Sequence, residues 1–223
     1  RQMCIRDRNG LETMFKLREN CFYYITTMNE NYHQPAMPVD VKDGIIKGMY
    51  RVKRSTEVDL KVQLMGSGTI LNEVLRAQEI LLQRYNVNSD VWSLTSINQL
   101  VREGQSVRRW NLLHPTSEPK ISFVERALLN SDGPVVIATD YMKNYGEQLR
   151  AFIHSPLYVL GTDGFGRSDS RESLRYFFEV DRNFIVVTAL KALSDQGKLD
   201  ADVVSEAITS LGIDPEKCNP LAI

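Results

Sequence analysis

The sequence predicts an α/β fold: a three-layer, mostly parallel sheet with helices on both faces and one antiparallel edge strand. First, from residue 62 onward, short apolar runs alternate with longer stretches of helical spacing, as in successive strand–helix units. Second, the run 134–139 (PVVIAT) is apolar almost throughout, which is typical of a strand buried on both faces. Third, the run 48–53 alternates apolar and polar residues, which indicates an edge strand.

Six runs are predicted to be strands because they are rich in apolar, aromatic or β-branched residues and end at glycine, proline or polar residues. The first of them (FYYITTM) is followed by a segment with two prolines, which is typical of a connection that leaves a domain. The six strands are predicted at 22–28, 48–53, 62–65, 91–94, 134–139 and 157–160.

The helices are predicted from apolar residues at helical spacing together with capping residues. Ser122 with Glu125 has the spacing of a capping box, and Gly197 and Gly212 are natural helix ends. The stretch 104–119 mixes charges, aromatic residues and prolines and is predicted to be an irregular connection. The helices are predicted at 71–85, 96–102, 122–130, 142–152, 170–178, 183–196 and 201–211.

Three segments describe the domain organisation. Residues 1–8 (RQMCIRDR) have no periodicity and are predicted to be foreign to the fold. Residues 9–38 are predicted to be the end of a preceding domain and its linker, and residues 39–223 the α/β domain. The chain does not begin with methionine, which favours a piece of a longer protein.

The composition excludes several classes of function. Lys and Arg number 27 against 28 Asp and Glu, so there is no basic surplus of the kind that nucleic-acid binding needs. No apolar run approaches the ~20 residues that span a bilayer, so no membrane partner is expected. The three cysteines, Cys4, Cys21 and Cys218, are far apart and are expected to be unpaired thiols of a cytoplasmic protein. The three histidines lack metal-ligand spacing.

The turn Gly66-Ser67-Gly68 follows a predicted strand and opens a predicted helix, which is the setting of a dinucleotide fingerprint. The fingerprint is incomplete, because its third glycine would fall at Leu71. A structural strand-to-helix turn is therefore favoured over a site for a nucleotide or another anion, and the second interpretation stays open.

The segment 161–172 (GTDGFGRSDSRE) combines three glycines, one aromatic residue and five charged residues after a predicted strand. This mixture indicates an ordered loop rather than a mobile linker. Catalysis is disfavoured, because the arginines are expected to pair with the carboxylates and keep them ionised. We expect a salt-bridged interface or capping loop instead. Its charged residues are Asp163, Arg167, Asp169, Arg171 and Glu172.

Asp140 ends the strongest predicted strand, 134–139, at the sheet edge where ligands of open α/β sheets bind. It is therefore the best-placed candidate for a general site residue. A carboxylate at this position also suits the start of the next helix, and helix capping is the favoured interpretation.

Several segments in order closely resemble one family. Besides GTDGFGRSDSRE, they are FYYITTMNENYHQPAMP, LMGSGTILNEV, RRWNLLHP, TDYMK and the final DPEKCNPLAI. Together they resemble the homodimeric decarboxylating component of the pyruvate dehydrogenase complex, a thiamine diphosphate enzyme of transketolase-like architecture. The resemblance covers nearly all of residues 9–223 and implies a transketolase-like C-terminal domain, with residues 9–38 closing a pyrimidine-binding-type domain.

The resemblance implies the function of the parent enzyme. With thiamine diphosphate and magnesium, the intact enzyme is expected to decarboxylate pyruvate and reductively acetylate the lipoyl group of the dihydrolipoyl acetyltransferase. The family's diphosphate–metal motif, activating glutamate and catalytic histidines do not occur here, so no catalytic, cofactor-binding or metal-binding residue is assigned. This domain is expected to serve dimerisation and assembly and to be inactive alone. The rival is a free-standing α/β module that binds a nucleotide or another anion at Gly66-Ser67-Gly68.

Overall fold

A computed structural model of the chain describes residues 2–55 and 59–222. Its centre is a five-stranded sheet in the order β1-β3-β2-β4-β5. All neighbouring strands are parallel except β1, which lies antiparallel to β3 at the edge. The predicted mostly parallel sheet with one antiparallel edge strand is confirmed. The strands are β1 (Met49–Lys53), β2 (Lys61–Ser67), β3 (Asn88–Leu94), β4 (Val135–Ala138) and β5 (Leu157–Leu160).

Nine α-helices are found within the described residues, and a 3-10 turn at Gln148–Phe152 extends the sixth. None of these helices is both long and apolar enough to cross a bilayer. The helices are α1 (Gln2–Leu11), α2 (Lys42–Lys47), α3 (Ile70–Tyr85), α4 (Ile97–Leu113), α5 (Phe123–Leu128), α6 (Lys143–Glu147), α7 (Arg171–Phe177), α8 (Arg182–Ser194) and α9 (Ala201–Ser210).

Two hydrophobic clusters lie on opposite faces of the sheet, as the alternation of side chains along a strand requires. Val62 and Leu64 of β2 belong to the cluster that includes α3, α8 and α9. Met65 belongs to the cluster that includes α4, α5 and the turn 148–152. The three-layer arrangement predicted from the sequence is therefore confirmed.

Two predicted elements were wrong at the level of secondary structure. Residues 22–28 form no strand: within the described chain their backbone pairs with no other strand, and an isolated strand leaves its N–H and C=O groups without partners. Helix α4 runs on to Leu113, so the first half of the predicted irregular connection 104–119 is helical. A Cβ at Gly104 would lie 2.6 Å from the ring of Phe152, so this glycine permits close packing and does not end the helix.

The N-terminal helix α1 includes residues 2–8, which were predicted to be foreign to the fold. Arg6 Nη2 donates hydrogen bonds to the carbonyl of Ile45 (2.8 Å) and to Thr95 Oγ1 (3.1 Å). Burial lowers the pKa of Arg6, which remains hydrogen-bonded to the domain. The division of the chain at residue 38 stays a prediction.

The capping box of α5 gives a direct test of local stability. Ser122 Oγ accepts from the N–H of Glu125 (3.3 Å), and Glu125 Oε2 accepts from the N–H of Ser122 (2.7 Å), as predicted. We expect Ser122→Ala to lower the free energy of unfolding by about 1 kcal/mol. In a domain of this size that loss lowers the Tm by about 2–4 °C in calorimetry. The control Ser106→Ala, on an exposed face of α4, should change stability by less than ~0.5 kcal/mol. Equal Tm values for both variants would contradict the role of the cap.

Candidate functional site

The motifs singled out in the sequence meet at the carboxyl edge of the sheet. Gly66 and Ser67 end β2 and the turn 68–69 follows it, Asp140 follows β4, and the loop 161–172 follows β5. Because these strands are parallel, their following segments emerge side by side. They line a crevice of ≈ 300 Å³ together with residues of α7 and of the N-terminal segment. Its polar and charged lining includes Glu30, Thr69, Asp140, Arg167, Arg171 and Arg175.

The turn Gly66-Ser67-Gly68 has a packing role. A Cβ at Gly66 would lie 2.8 Å from Leu71 Cα, so only glycine lets α3 approach β2 this closely. Ser67 Oγ shares a buried hydrogen bond of 2.7 Å with Thr139 Oγ1. Gly68 has φ +53° and faces the carboxylate of Asp140, whose Oδ1 would lie 3.8 Å from a Cβ there. A carboxylate beside the turn repels anions, so the geometry favours the structural interpretation.

Asp140 is half-buried, and the pKa of its carboxyl group is raised. The main cause is burial, which penalises the charged form. A hydrogen bond from its own backbone N–H and the charge of Arg175 lower the pKa in part, whereas Glu30 raises it further. The interpretation of Asp140 as a helix cap was wrong, because the N-cap of α6 is Met142. Its backbone carbonyl instead accepts a 2.7 Å hydrogen bond from Thr162 Oγ1.

The carboxylate at the start of α6 is that of Asp163, whereas the sequence predicted Asp140 in this capping role. Its Oδ1 accepts a 3.1 Å hydrogen bond from the N–H of Lys143, the first residue of α6. The loop after β5 therefore satisfies a free N–H at the start of the preceding helix. Sequence reasoning could have found this contact only by placing β4 and β5 side by side, since Asp163 and Lys143 are 20 residues apart.

The remaining charged residues of the loop do not pair with one another as expected. Arg167 lies over the ring of Phe177, 4.6 Å from its centroid, and Asp169 Oδ1 accepts from the neighbouring N–H of Ser170. Arg171 binds Glu30 outside the loop, and Glu172 lies exposed in the first turn of α7. The two arginines were predicted to pair with carboxylates of the loop, but they contact residues outside it.

The tip of the loop faces solvent. Phe165 is 81% exposed, although it stands between two glycines of an ordered turn. Gly164, with φ +96°, packs so close to the carbonyl of Pro220 that a Cβ would lie 2.4 Å from it. The base of the loop is therefore fixed by backbone packing, while its aromatic tip is free to contact another surface.

A network of four alternating charges was missed by sequence reasoning. Glu30 Oε2 lies 2.7 Å from Arg175, Arg175 lies 3.6 Å from Glu73 Oε1, and Arg182 Nε lies 2.8 Å from Glu73 Oε2. Glu73, in the first turn of α3, is buried. The one available signal was a glutamate within the predicted helix 71–85, four residues before the apolar Ala77, since buried carboxylates require partners.

Metal-ligand chemistry is absent from the part of the chain that the structure describes, where no three His, Cys, Asp or Glu residues are grouped to hold an ion. His114 stacks on Trp110, with ring centroids 4.3 Å apart, and His154 Nε2 lies 3.3 Å from Glu125. These histidines are engaged in packing and pairing at the surface.

Two family models match the chain. The family model described as the transketolase-like TK C-terminal domain matches residues 48–181, and the model of the pyruvate dehydrogenase E1 component middle domain matches residues 2–35. The chain therefore belongs to the transketolase-like C-terminal domain family. The middle-domain match includes residues 2–8, which were predicted to be foreign to the fold.

Individual relatives of the chain are pyruvate dehydrogenase E1 components. The chain is 53% identical over 222 residues to the pyruvate dehydrogenase E1 component of Pseudomonas aeruginosa, covering 99% of this chain and 25% of the relative. It is 50% identical over 214 residues to the pyruvate dehydrogenase E1 component of Escherichia coli K12, covering 95% and 24%. The predicted resemblance is confirmed, and the chain spans about a quarter of the length of these relatives.

Among solved structures, a transketolase from Leishmania mexicana aligns with 69% of this chain and 19% of its own. The TM-score is 0.46 and the sequence identity 18%.

The raised pKa of Asp140 predicts a pH-dependent gain in stability for Asp140→Asn. Because the folded chain holds this carboxyl at a pKa above its unfolded value, stability falls as pH rises through the folded pKa. The neutral variant escapes this loss. We expect it to melt above the wild type at about pH 7.5, with the difference shrinking towards about pH 4 in a series of thermal melts.

The control is Asp195→Asn. Asp195 is exposed, and Lys191 and Tyr158 lower the pKa of its carboxyl group by hydrogen bonding. Its replacement should therefore not stabilise the chain at neutral pH. An Asp140→Asn variant that melts at or below the wild-type temperature at about pH 7.5 would contradict the argument.

Proposed function

We propose that this chain is the dimerisation and assembly domain of a pyruvate dehydrogenase E1 component. The observation that carries the proposal is the 53% identity to such a component over 99% of the chain. In the proposed full-length enzyme, thiamine diphosphate and magnesium support decarboxylation of pyruvate, and the lipoyl group of the dihydrolipoyl acetyltransferase is reductively acetylated. The proposed partners are a second copy of the chain and that acetyltransferase, in the cytoplasm.

The residues that the structure describes do not fit a magnesium site. At the crevice, Glu30 is engaged by Arg171 and Arg175, and the carboxyl group of Asp140 is desolvated by burial. A magnesium ion requires several oxygen ligands that are free to coordinate it. No step of the chemistry is therefore assigned to this chain.

The contacts of the loop 161–172 support a role in assembly. Asp163 is committed to capping α6, and Arg171 is committed to Glu30. This leaves no paired acid and base poised for proton transfer. The exposed Phe165, held on a fixed base, has instead the character of a contact residue.

The rival proposal is an anion-binding module at Gly66-Ser67-Gly68. It is disfavoured by the carboxylate of Asp140, which faces Gly68, and by the hydrogen bond that already engages Ser67 with Thr139.

A chimera tests the proposed function. We expect that residues 48–223, placed in the matching region of the Pseudomonas aeruginosa relative, will sustain pyruvate decarboxylation within about tenfold of the parent, since core substitutions that preserve pattern are tolerated. This chain alone should neither turn over pyruvate nor bind thiamine diphosphate with magnesium in calorimetry. An inactive chimera that folds and dimerises would overturn the assignment to this enzyme, and saturable cofactor binding to the chain alone would overturn the assembly role.

The loop itself is tested by Arg167→Ala in the full-length enzyme. In the isolated chain, loss of the contact between Arg167 and Phe177 should cost about 0.5–1 kcal/mol of stability. If the loop lies in the dimer interface, dissociation measured by sedimentation should rise about tenfold or more, with turnover falling only as the dimer is lost.

Asp169→Ala should act in the same direction, and Glu79→Ala, at an exposed position on α3, is the control. A variant that stays fully dimeric and equally stable yet loses turnover a thousandfold would place the loop in the chemical step.

A further inference from the structure

A short stretch of the N-terminal segment, residues 26–30, crosses the carboxyl edge of the sheet; we call it the strap. Thr26 Oγ1 shares a 2.8 Å hydrogen bond with the hydroxyl of Tyr141, just after β4. Asn29 Oδ1 accepts a 3.1 Å hydrogen bond from Arg171 Nη2. The strap has no regular secondary structure, so these side-chain contacts fix its position.

Glu30 is the best-connected residue of the strap. A single oxygen, Oε2, lies 2.7 Å from Arg175 Nη2 and 3.3 Å from Arg171 Nε. The side chains of Glu30 and Arg175 are only 16% and 18% exposed. Partial burial reduces the screening that makes most surface ion pairs nearly neutral in free energy.

Arg175 also forms an ion pair on the side away from the strap. Its Nη1 lies 3.6 Å from Glu73 on α3, whose carboxylate is also bound by Arg182 of α8. Because α3 and α8 pack in the hydrophobic core, the guanidinium of Arg175 is presented by rigid elements. The arginine pair of α7, Arg171 and Arg175, is one helical turn apart and therefore faces the strap together.

We propose that Arg171, Arg175 and Tyr141 form a docking surface for the strap, with Glu30 as its anchor. The partner is thus a segment of the same chain: a short, polar stretch with one carboxylate that enters between two guanidinium groups. Met28 and Glu30 line the crevice, so the docked strap closes one side of it. Release of Glu30 frees the strap and opens the crevice to solvent.

The contacts of the strap lie within this chain and do not depend on the reaction of a parent enzyme. An inactive chimera and a released strap are separate outcomes.

Limited proteolysis of the full 223-residue chain tests the proposal. Chymotrypsin can cleave after Phe22 and Tyr24, which are both 85% exposed, but it must accommodate the residues that follow in an extended, mobile form. We expect Glu30→Gln to raise the initial rate of cleavage at residues 22–24 by about fivefold or more, since cleavage tracks the population of the open form. Cleavage within residues 60–211, followed by mass spectrometry, is the internal reference for global unfolding.

Two comparisons make the test specific. The control Glu12→Gln removes the exposed pair with Lys16 in the same N-terminal region and should leave the cleavage rate unchanged. In a chain with Arg171→Gln and Arg175→Gln together, cleavage should already be fast, and adding Glu30→Gln should change it less than twofold, because coupled residues are not additive.

The proposal is overturned if chymotrypsin cleaves the Glu30→Gln variant at the wild-type rate. It is also overturned if Glu30→Gln raises the cleavage rate by the same factor when both arginines have been replaced. If Glu30→Gln also accelerates cleavage within residues 60–211, the test is the cleavage rate of the single variant Arg171→Gln. It removes contacts with Asn29 and Glu30 from a half-exposed side chain and leaves the core intact. Faster strap cleavage in that variant supports docking, and an unchanged rate refutes it.

Discussion

The central strand β2 is the constraint on which the rest of the structure depends. It lies between β3 and β4 and contributes to both hydrophobic clusters, so it must be buried on both faces. Its one large buried polar side chain is accommodated by hydrogen bonds: Gln63 Oε1 accepts from Trp92 Nε1, and Gln63 Nε2 donates to the carbonyl of Asp132, each at 2.9 Å. A buried amide with partners on both atoms is tolerated and also fixes its position, because any shift of register would leave those atoms unpaired.

Register then determines where the candidate site lies. Gly66 of β2 is opposite Ala138 of β4, and Ala138 is opposite Leu160 of β5, so the three strands end at one level. The polar residues that follow are therefore neighbours although they are far apart in sequence. Their hydrogen bonds join them directly: Ser67 with Thr139, and Thr162 with the carbonyl of Asp140. Parallel pairing thus places carboxylates, hydroxyls and glycines at one edge of the sheet. Most of the polar groups there form capping hydrogen bonds or ion pairs that stabilise the fold.

The sequence predicted those elements whose signal is local. Strands with continuous apolar runs, such as β4, and the Ser122 cap were predicted because propensity and spacing are sufficient there. The start of β3 was missed because Asn88, Ser89 and Asp90 are polar, yet all are buried. Their burial depends on partners supplied elsewhere: the carbonyl of Ser89 accepts from Gln78, and Asp90 lies 3.8 Å from Arg51. Tertiary pairing of this kind leaves no periodicity in the sequence.

The same distinction explains the N-terminal segment. The composition of residues 22–28 is that of a strand, but a strand is stable only when a neighbour pairs with its backbone. Phe22 and Tyr24 are 85% exposed while Tyr23 and Ile25 are 36% exposed, so the alternation of an extended chain persists without a sheet. A few residues later, Glu30 needs no backbone partner, because a carboxylate between two guanidinium groups is stabilised through its side chain alone. The segment is therefore held by side-chain contacts, and among the described residues no strand pairs with the backbone of its apolar half.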